Sequence, residues 1–308
     1  MNPLGAALAL PVAAGLGAIA LMLVGPGPLW VARWRFLYRV PRAAVVLWQA
    51  GSLAALASVL SAGVLVGVWA FGPWGVAQRG APPWSLLLSG LLVLFTASVA
   101  VRLAWSLIRV ARATAVRRRR HRAAVDLLGE VADAPLATKV RVLAERLPVA
   151  YCLPGLRSSR VVLSSGTLAV LDEQELTAVV AHEVAHVRAR HDVVLDTFTA
   201  LHRAFPVVVR SGLPERECGL LVEMLADDAA RRRAGRLPLA RALVTLADSP
   251  VPAAALGAGQ TGVRLRVERL ALPGAGYSAR LSAAVYVLAA GLIAAPLVML
   301  STPWWLPL

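Results

Sequence analysis

Two histidines four residues apart, with a glutamate directly after the first, stand in Ala181-His182-Glu183-Val184-Ala185-His186. On a helix this spacing puts both imidazoles on one face, within reach of a single Zn²⁺. Glu183 then lies beside them, placed to take a proton from a water on the metal, which is the plan of a zinc protease. The flanking residues favour a helix. Thr177 to Arg190 contains neither Gly nor Pro, and Asp172, Glu173 and Glu175 gather at its start, where the positive end of the helix dipole attracts acids. Asp172 fits an N-cap, with Glu175 three residues later as in a capping box.

Catalytic zinc takes three protein ligands and keeps a fourth position open. His191 follows His186 by five residues, about 140° further round a continuous helix, so it points away and reads as a surface residue. Glu223 is the better third ligand. It falls in an expected helix from Glu215 to Arg233, ended by Gly235, inside the apolar run Leu220, Leu221, Val222, Met224, Leu225, Ala226. A carboxylate in that setting needs a partner; a metal would serve, and so would an arginine. Asp227, one turn later on the same face, can accept a bond from a ligand imidazole and orient it. Glu215 and Glu217 suit the polar start of the same helix. His202 and Arg231 are candidates for stabilising the tetrahedral intermediate, although a structural role explains each more simply.

The elements that hold these residues form one insert, about residues 117–280. Ala123 to Leu147 has helical apolar spacing (Val125, Leu127, Leu128, Val131, then Val140, Leu143, Leu147), and Pro135 divides it into two expected helices. Two β-like runs follow, Val149 to Leu153 and Arg160 to Leu163, with the turn signal Pro154-Gly155 between them. The run Arg160, Val161, Val162, Leu163 reads as an edge strand able to pair with an extended substrate. After the metal helix, Val193 to Val209 is apolar but interrupted by Asp196, His202, Arg203 and Pro206, which suits a helix lying on a bilayer or core. Helices are expected at about Leu239 to Ala247 and Gly262 to Leu272, with a linker carrying Pro250, Pro252, Gly257 and Gly259 between them. Cys152 and Cys218 have no second Cys, or His at ligand spacing, beside them and read as buried structural thiols.

The rest of the chain is membrane-like. Of 308 residues 58% are hydrophobic, and mean hydropathy is +0.67. Spanning a hydrocarbon core takes about 20 helical residues, and four segments qualify, at about 4–24, 45–71, 84–108 and 281–300. None contains Asp, Glu or Lys, and Arg102 lies near the end of the third, where it can snorkel. No basic n-region precedes the first, so it reads as a retained anchor and not a cleaved signal. Arg33, Arg35, Arg39 and Arg42 lie between the first two spans, only Arg79 between the second and third, and a cluster from Arg109 to Arg122 follows the third. Positive charge marks the cytoplasmic side. Both termini therefore face outward, and the insert faces the cytoplasm of a multi-pass inner-membrane protein. The formal net charge of +15 follows largely from this topology and from headgroup contacts of the juxtamembrane arginines, so the bilayer is the expected partner and nucleic acid is not. Gly63-Val64-Leu65-Val66-Gly67 matches a helix-pairing pattern, which would serve a homo-oligomer or packing within the chain.

His182-Glu183-Val184-Ala185-His186-Val187-Arg188, followed by Glu223-Met224-Leu225-Ala226-Asp227, resembles the BlaR/MecR-type membrane zinc metallopeptidases, the antirepressor peptidases. Val161-Val162-Leu163-Ser164-Ser165-Gly166 and Glu175-Leu176 share in the likeness. It implies His182, His186 and Glu223 as zinc ligands and Glu183 as general base. It also implies the fold class: a mostly α membrane protein with four transmembrane helices, and a cytoplasmic α+β zincin-like (gluzincin) metalloprotease domain inserted between spans three and four. The implied organisation is 1–116 for the first three spans, 117–280 for the peptidase and 281–308 for the fourth span and tail. The antibiotic receptors of that family carry an extracellular penicillin-binding domain after span four. Here the sequence ends at Ser301-Thr302-Pro303-Trp304-Trp305-Leu306-Pro307-Leu308, a short form with no expectation of β-lactam sensing, and with Trp304 and Trp305 as interfacial anchors. The CAAX-prenyl-protease and HtpX-type membrane proteases share the HExxH plus Glu-x-x-x-Asp plan. The expected activity is that of a zinc endopeptidase acting on a protein or peptide, with a BlaI/MecI-like transcriptional repressor, or the enzyme itself, as the substrate that the resemblance implies. A non-catalytic zinc scaffold would not need Glu183, and a transporter would show intramembrane acids or matched broken helices.

Overall fold

The computed structural model describes residues 3–73, 75–135, 138–155, 159–205, 212–248, 256–271 and 278–305. In chain order the helices are α1 (Pro3–Val24), α2 (Pro26–Ala32), α3 (Pro41–Phe71), α4 (Pro83–Leu128), α5 (Ser165–Val170), α6 (Glu173–Ala189), α7 (His191–Ala204), α8 (Leu213–Ala234), α9 (Arg236–Ala247), α10 (Leu256–Ala271) and α11 (Ala279–Trp305). The strands, all between α4 and α5, are β1 (Glu130–Ala134), β2 (Thr138–Leu143), β3 (Ala150–Leu153) and β4 (Arg160–Ser164). Pro206, Pro250, Pro252 and the last three residues lie outside the described residues.

The chain divides into two compact units, Met1–Ile108 with Ala200–Pro214 and Ser278–Leu308, and Arg109–Thr199 with Glu215–Tyr277. In the first, α1, α3 and α11 enclose a core of Ala13, Leu16, Ala62, Leu65 and Val66, against which Val12, Met299 and Leu300 pack. Among the described residues three helical stretches, Pro41–Arg79, Pro83–Leu128 and Ala279–Ser301, are long and apolar enough to cross a bilayer by length and composition. Leu8–Val24 with Pro26–Ala32, bent by 45°, makes a fourth if the pair is one span. Buried hydroxyls here bond back along their own helices: Ser58 to the Ala54 carbonyl at 2.7 Å, and Thr96 to that of Leu92 at 2.9 Å. This satisfies each donor where no water is at hand. Gly63 faces the Thr96 side chain so closely that a Cβ would fall 2.3 Å from its oxygen. The helix-pairing pattern is therefore occupied by α4 of the same chain.

The second unit is built on a sheet of order β1-β2-β4-β3. β1 and β2 form an antiparallel pair, β2 and β4 run parallel, and β3 returns antiparallel to β4. One face, with Val140, Val161 and Leu163, packs under Leu171, under Val179 and Val180 of α6, and under Ala242 of α9. The other face packs Leu153 and Val162 on Val125 of α4.

Three expectations are overturned by these elements. The two helices expected from Ala123 to Leu147 are replaced by the end of α4 and by β1 and β2. Val140 and Val142 alternate toward the α6 side, while Arg141 turns away to Asp126 at 3.2 Å and to the Gly129 carbonyl at 3.0 Å; the governing period is 2 and not 3.6. Arg160 to Leu163 is not an edge strand: β4 is paired on both sides. Val161, Val162 and Leu163 are consecutive and all buried, so both faces of the strand are covered, as an interior strand requires. The linker expected at Gly257 and Gly259 also gives way to helix, since α10 begins at Leu256.

Gly166 follows β4, where an added Cβ would come within 2.0 Å of the Arg146 carbonyl oxygen. Only glycine fits that approach. It lets Ser164 cap α5 by accepting from the Thr167 amide at 3.0 Å, and α5 then leads into the metal helix.

Candidate metal centre

α6 starts at a complete capping box. Asp172 accepts from the Glu175 amide at 2.8 Å, and Glu175 accepts from the Asp172 amide at 3.2 Å. The helix buries Ala178, Val179, Val180 and Ala181, which fixes its rotation and turns His182, Glu183 and His186 toward α8. α8 is locked by buried Leu221, Val222, Met224 and Ala226, and presents Glu223 and Asp227 one turn apart.

These two helices bring four of the expected residues together. His182 Nε2 and His186 Nε2 are 3.1 Å apart. Glu223 Oε2 lies 3.2 Å from the first, and Glu223 Oε1 lies 3.3 Å from the second. Tetrahedral zinc, with ligands at about 2.0–2.1 Å, holds its donor atoms about 3.3 Å from one another. The triangle therefore has the size and donor set of a zinc site, and His182, His186 and Glu223 are the residues that could hold the ion. Asp227 Oδ1 lies 3.0 Å from His182 Nδ1, which directs the opposite ring nitrogen at the triangle.

Arg266, from α10, completes the cluster. Its Nε and Nη2 each donate to Asp227 at 2.7 Å, and Nη1 lies 3.0 Å from Glu223 Oε2. Glu223 thus has the arginine that its apolar setting called for, and it faces the two imidazoles as well. Arg269 repeats the bidentate pairing on Asp228 at 2.8 and 2.9 Å, so α10 is tied to α8 by two such pairs.

Burial opposes the charged form of His182, but Asp227 and Glu223 outweigh it and raise the imidazole to about 9. Burial pushes His186 down to about 4, which keeps it neutral and able to donate a lone pair. Glu223 is held at about 2 in spite of burial, by His182 and Arg266. Glu183 is raised by burial and by the Glu223 charge, the direction that suits a group required to accept and return a proton. Cys152 lies near enough to feel that carboxylate, and its thiol is pushed up to about 12 by burial and then by Glu183.

A cavity of about 280 Å³ opens beside the cluster, lined by His182, Glu183, Glu223, Arg266 and Ala150, and by aliphatic residues of α9, chiefly Leu239, Leu243 and Leu246. Arg160, Val161, Val162 and Leu163 are not among its described lining residues; Arg160 pairs with Asp126 at 3.0 Å. The edge strand on this side is β3, through Ala150 and Cys152. His202 and Arg231 do not line the cavity either, and Arg231 pairs with Asp228 at 3.2 Å.

His191 is a further correction. It is 5% exposed, and its Nδ1 lies 3.1 Å from His186 Nδ1. Sequence spacing missed Arg266, Cys152 and His191. The need of Glu223 for a cationic partner was the signal for Arg266; the period-2 facing of Cys152 with Ala150 was the signal for Cys152. No characterised protein and no solved structure gives a significant match to the chain. Residues 111–256, which carry His182, Glu183, His186, Glu223 and Asp227, match the model of peptidase family M48, and the match supports a metallopeptidase of that family.

Proposed function

We propose that this chain is an integral-membrane zinc endopeptidase whose site is His182, His186 and Glu223 around Glu183. The observation that carries the reading is a zinc-sized cluster of donor atoms: two imidazole nitrogens 3.1 Å apart, with one Glu223 oxygen 3.2 Å from the first and the other 3.3 Å from the second, and a half-buried carboxylate one residue from the first ligand. Bound there, zinc would supply Lewis acidity, activating a water and polarising the scissile carbonyl. Glu183 takes the proton of the attacking water and returns it to the leaving amine. Asp227 holds the His182 ring, and Arg266 holds Asp227. The edge strand β3 takes over the role first sought in β4: its free side offers main-chain groups to an extended substrate beside the cavity.

The substrate we infer is a cytoplasmic regulator of the BlaI/MecI-like repressor kind, or the chain itself, cut in a signalling step. This rests on the BlaR/MecR resemblance; the M48 match supports the peptidase and is neutral on the role. The alternative is quality control or processing of the HtpX or CAAX-protease kind, which rests on the same HExxH and Glu-x-x-x-Asp plan.

The test compares new peptide N-termini in membranes and cytosol from cells carrying the wild type or Glu183→Gln, which keeps all three ligands and removes the base. Wild-type-only termini confined to one or two regulators support signalling, whereas termini spread over many membrane proteins support quality control. None under any condition, with zinc on both proteins, would overturn the endopeptidase in favour of a zinc-binding scaffold.

A further inference from the structure

His186 turns Nε2 toward His182 and Glu223, so its other nitrogen faces away from the donor triangle. That Nδ1 meets His191 Nδ1 at 3.1 Å, with the two rings edge-to-face at 88° and centroids 4.9 Å apart. A neutral imidazole carries one proton and one lone pair. For His186 Nε2 to offer its lone pair to a metal, the proton must sit on Nδ1, and the atom there to accept it is His191 Nδ1. His191 then carries its own proton on Nε2.

The backbone makes this meeting possible. On an unbroken helix His191 would stand about 140° from His186. Arg190 instead adopts φ 52° and ψ 42°, the one left-handed non-glycine residue among those described, at a cost of roughly 1–2 kcal/mol for an L side chain. α6 stops there, and α7 restarts at His191 in a new direction. The start of α7 is fastened by Arg118 of α4, which donates to Asp192 at 2.7 Å and to Asp196 at 3.0 Å. A strained turn, an ion-pair anchor and a buried imidazole thus converge on one nitrogen of His186.

We propose that His191 is a positioning residue for the metal centre: it accepts a hydrogen bond from His186 Nδ1 and so fixes the tautomer and ring rotation of the second ligand, while Asp227 stands behind the first at 3.0 Å. The assignment rests on His182, His186 and Glu223 being the zinc ligands. It gives the site an unequal pair of supports, a carboxylate behind His182 and a neutral ring behind His186, so that His186 is the less electron-rich ligand.

The experiment uses the full chain in detergent, loaded with zinc, and follows zinc loss to excess chelator. The visible spectrum of the cobalt-substituted protein and the melting of the metal-free protein are recorded beside it. His191→Ala should lose zinc about 10–100-fold faster and shift the cobalt bands. His191→Asn, whose Oδ1 can stand where Nδ1 stood, should recover most of the retention. Zinc loss at the wild-type rate with an unshifted cobalt spectrum in His191→Ala would overturn the proposal. So would a lowered melting temperature in both variants with no recovery by asparagine, which marks a merely structural role. If the wild type itself holds no zinc, or holds it independently of His182 and Glu223, the metal-centre reading fails and this proposal with it.

Discussion

Asp227 is 1% exposed, and the partners it meets come from other helices, His182 of α6 and Arg266 of α10. Arg266 meets it with two short bonds and spans to Glu223 with its third nitrogen, so one guanidinium balances two carboxylates. Breaking a buried pair by removing one partner costs about 3–5 kcal/mol, because the other charge stays buried and unpaired. Arg266→Met should therefore destabilise the metal-free protein by about that amount. Zinc on Glu223 would supply positive charge to the same cluster, so the deficit should shrink when the metal is bound. Denaturant unfolding with and without chelator measures both halves. Equal midpoints for wild type and Arg266→Met in chelator would show that Arg266 does not hold the cluster together. Arg266→Lys keeps the charge but loses the fork, and should fall between the two.

At the scale of elements, the sequence disclosed what local chemistry dictates and hid what pairing dictates. The capping box of α6 and the helix bearing Glu223 could be read because their signals, Asp172 with Glu175 and an apolar run ended by Gly235, lie within a few residues of the structure they specify. β1 and β2 were hidden because Val140 and Leu143, three residues apart, share a face only on a helix, whereas the sheet sends them to opposite faces, and only the neighbouring β4 decides for the sheet. The rank of β4 in the sheet was written in Val161-Val162-Leu163, three consecutive apolar residues, yet strand order itself is a long-range fact. His191 was misplaced for a similar reason: its direction depends on a left-handed residue that is an arginine and not the usual glycine. Because β3 and not β4 carries the free edge, the substrate-pairing prediction moves there. In an antiparallel pair successive residues point their N–H groups alternately inward and outward. A proline scan over Ala150, Tyr151, Cys152 and Leu153 should then split. At alternate positions KM rises sharply while kcat and folding persist, and at the others the pairing with β4 breaks and the protein fails to accumulate. A scan in which no folded variant changes KM would dispose of strand pairing by β3.

Across the whole molecule, the chemistry of the site and the charge of the loops have to agree on a compartment. Four arginines lie between the first and second apolar segments, one between the second and third, and α4 carries a run of them from Arg109 to Arg122. Each such residue favours the negatively charged cytoplasmic leaflet by about 1 kcal/mol when it lies near the surface, so the insert is expected inside and the turn at Arg79 outside. Single cysteines test this in a chain with Cys152→Ala and Cys218→Ala, used for labelling alone. Gln78→Cys lies in the exposed turn before α4, and Ala123→Cys on the exposed side of α4 within the second unit. A membrane-impermeant maleimide should label Gln78→Cys on intact cells, and Ala123→Cys only after permeabilisation. The reverse pattern would place the HExxH helix outside the cytoplasm. That outcome would leave the zinc chemistry untouched but put every cytoplasmic repressor out of reach, and the substrate would have to be sought among extracytoplasmic proteins.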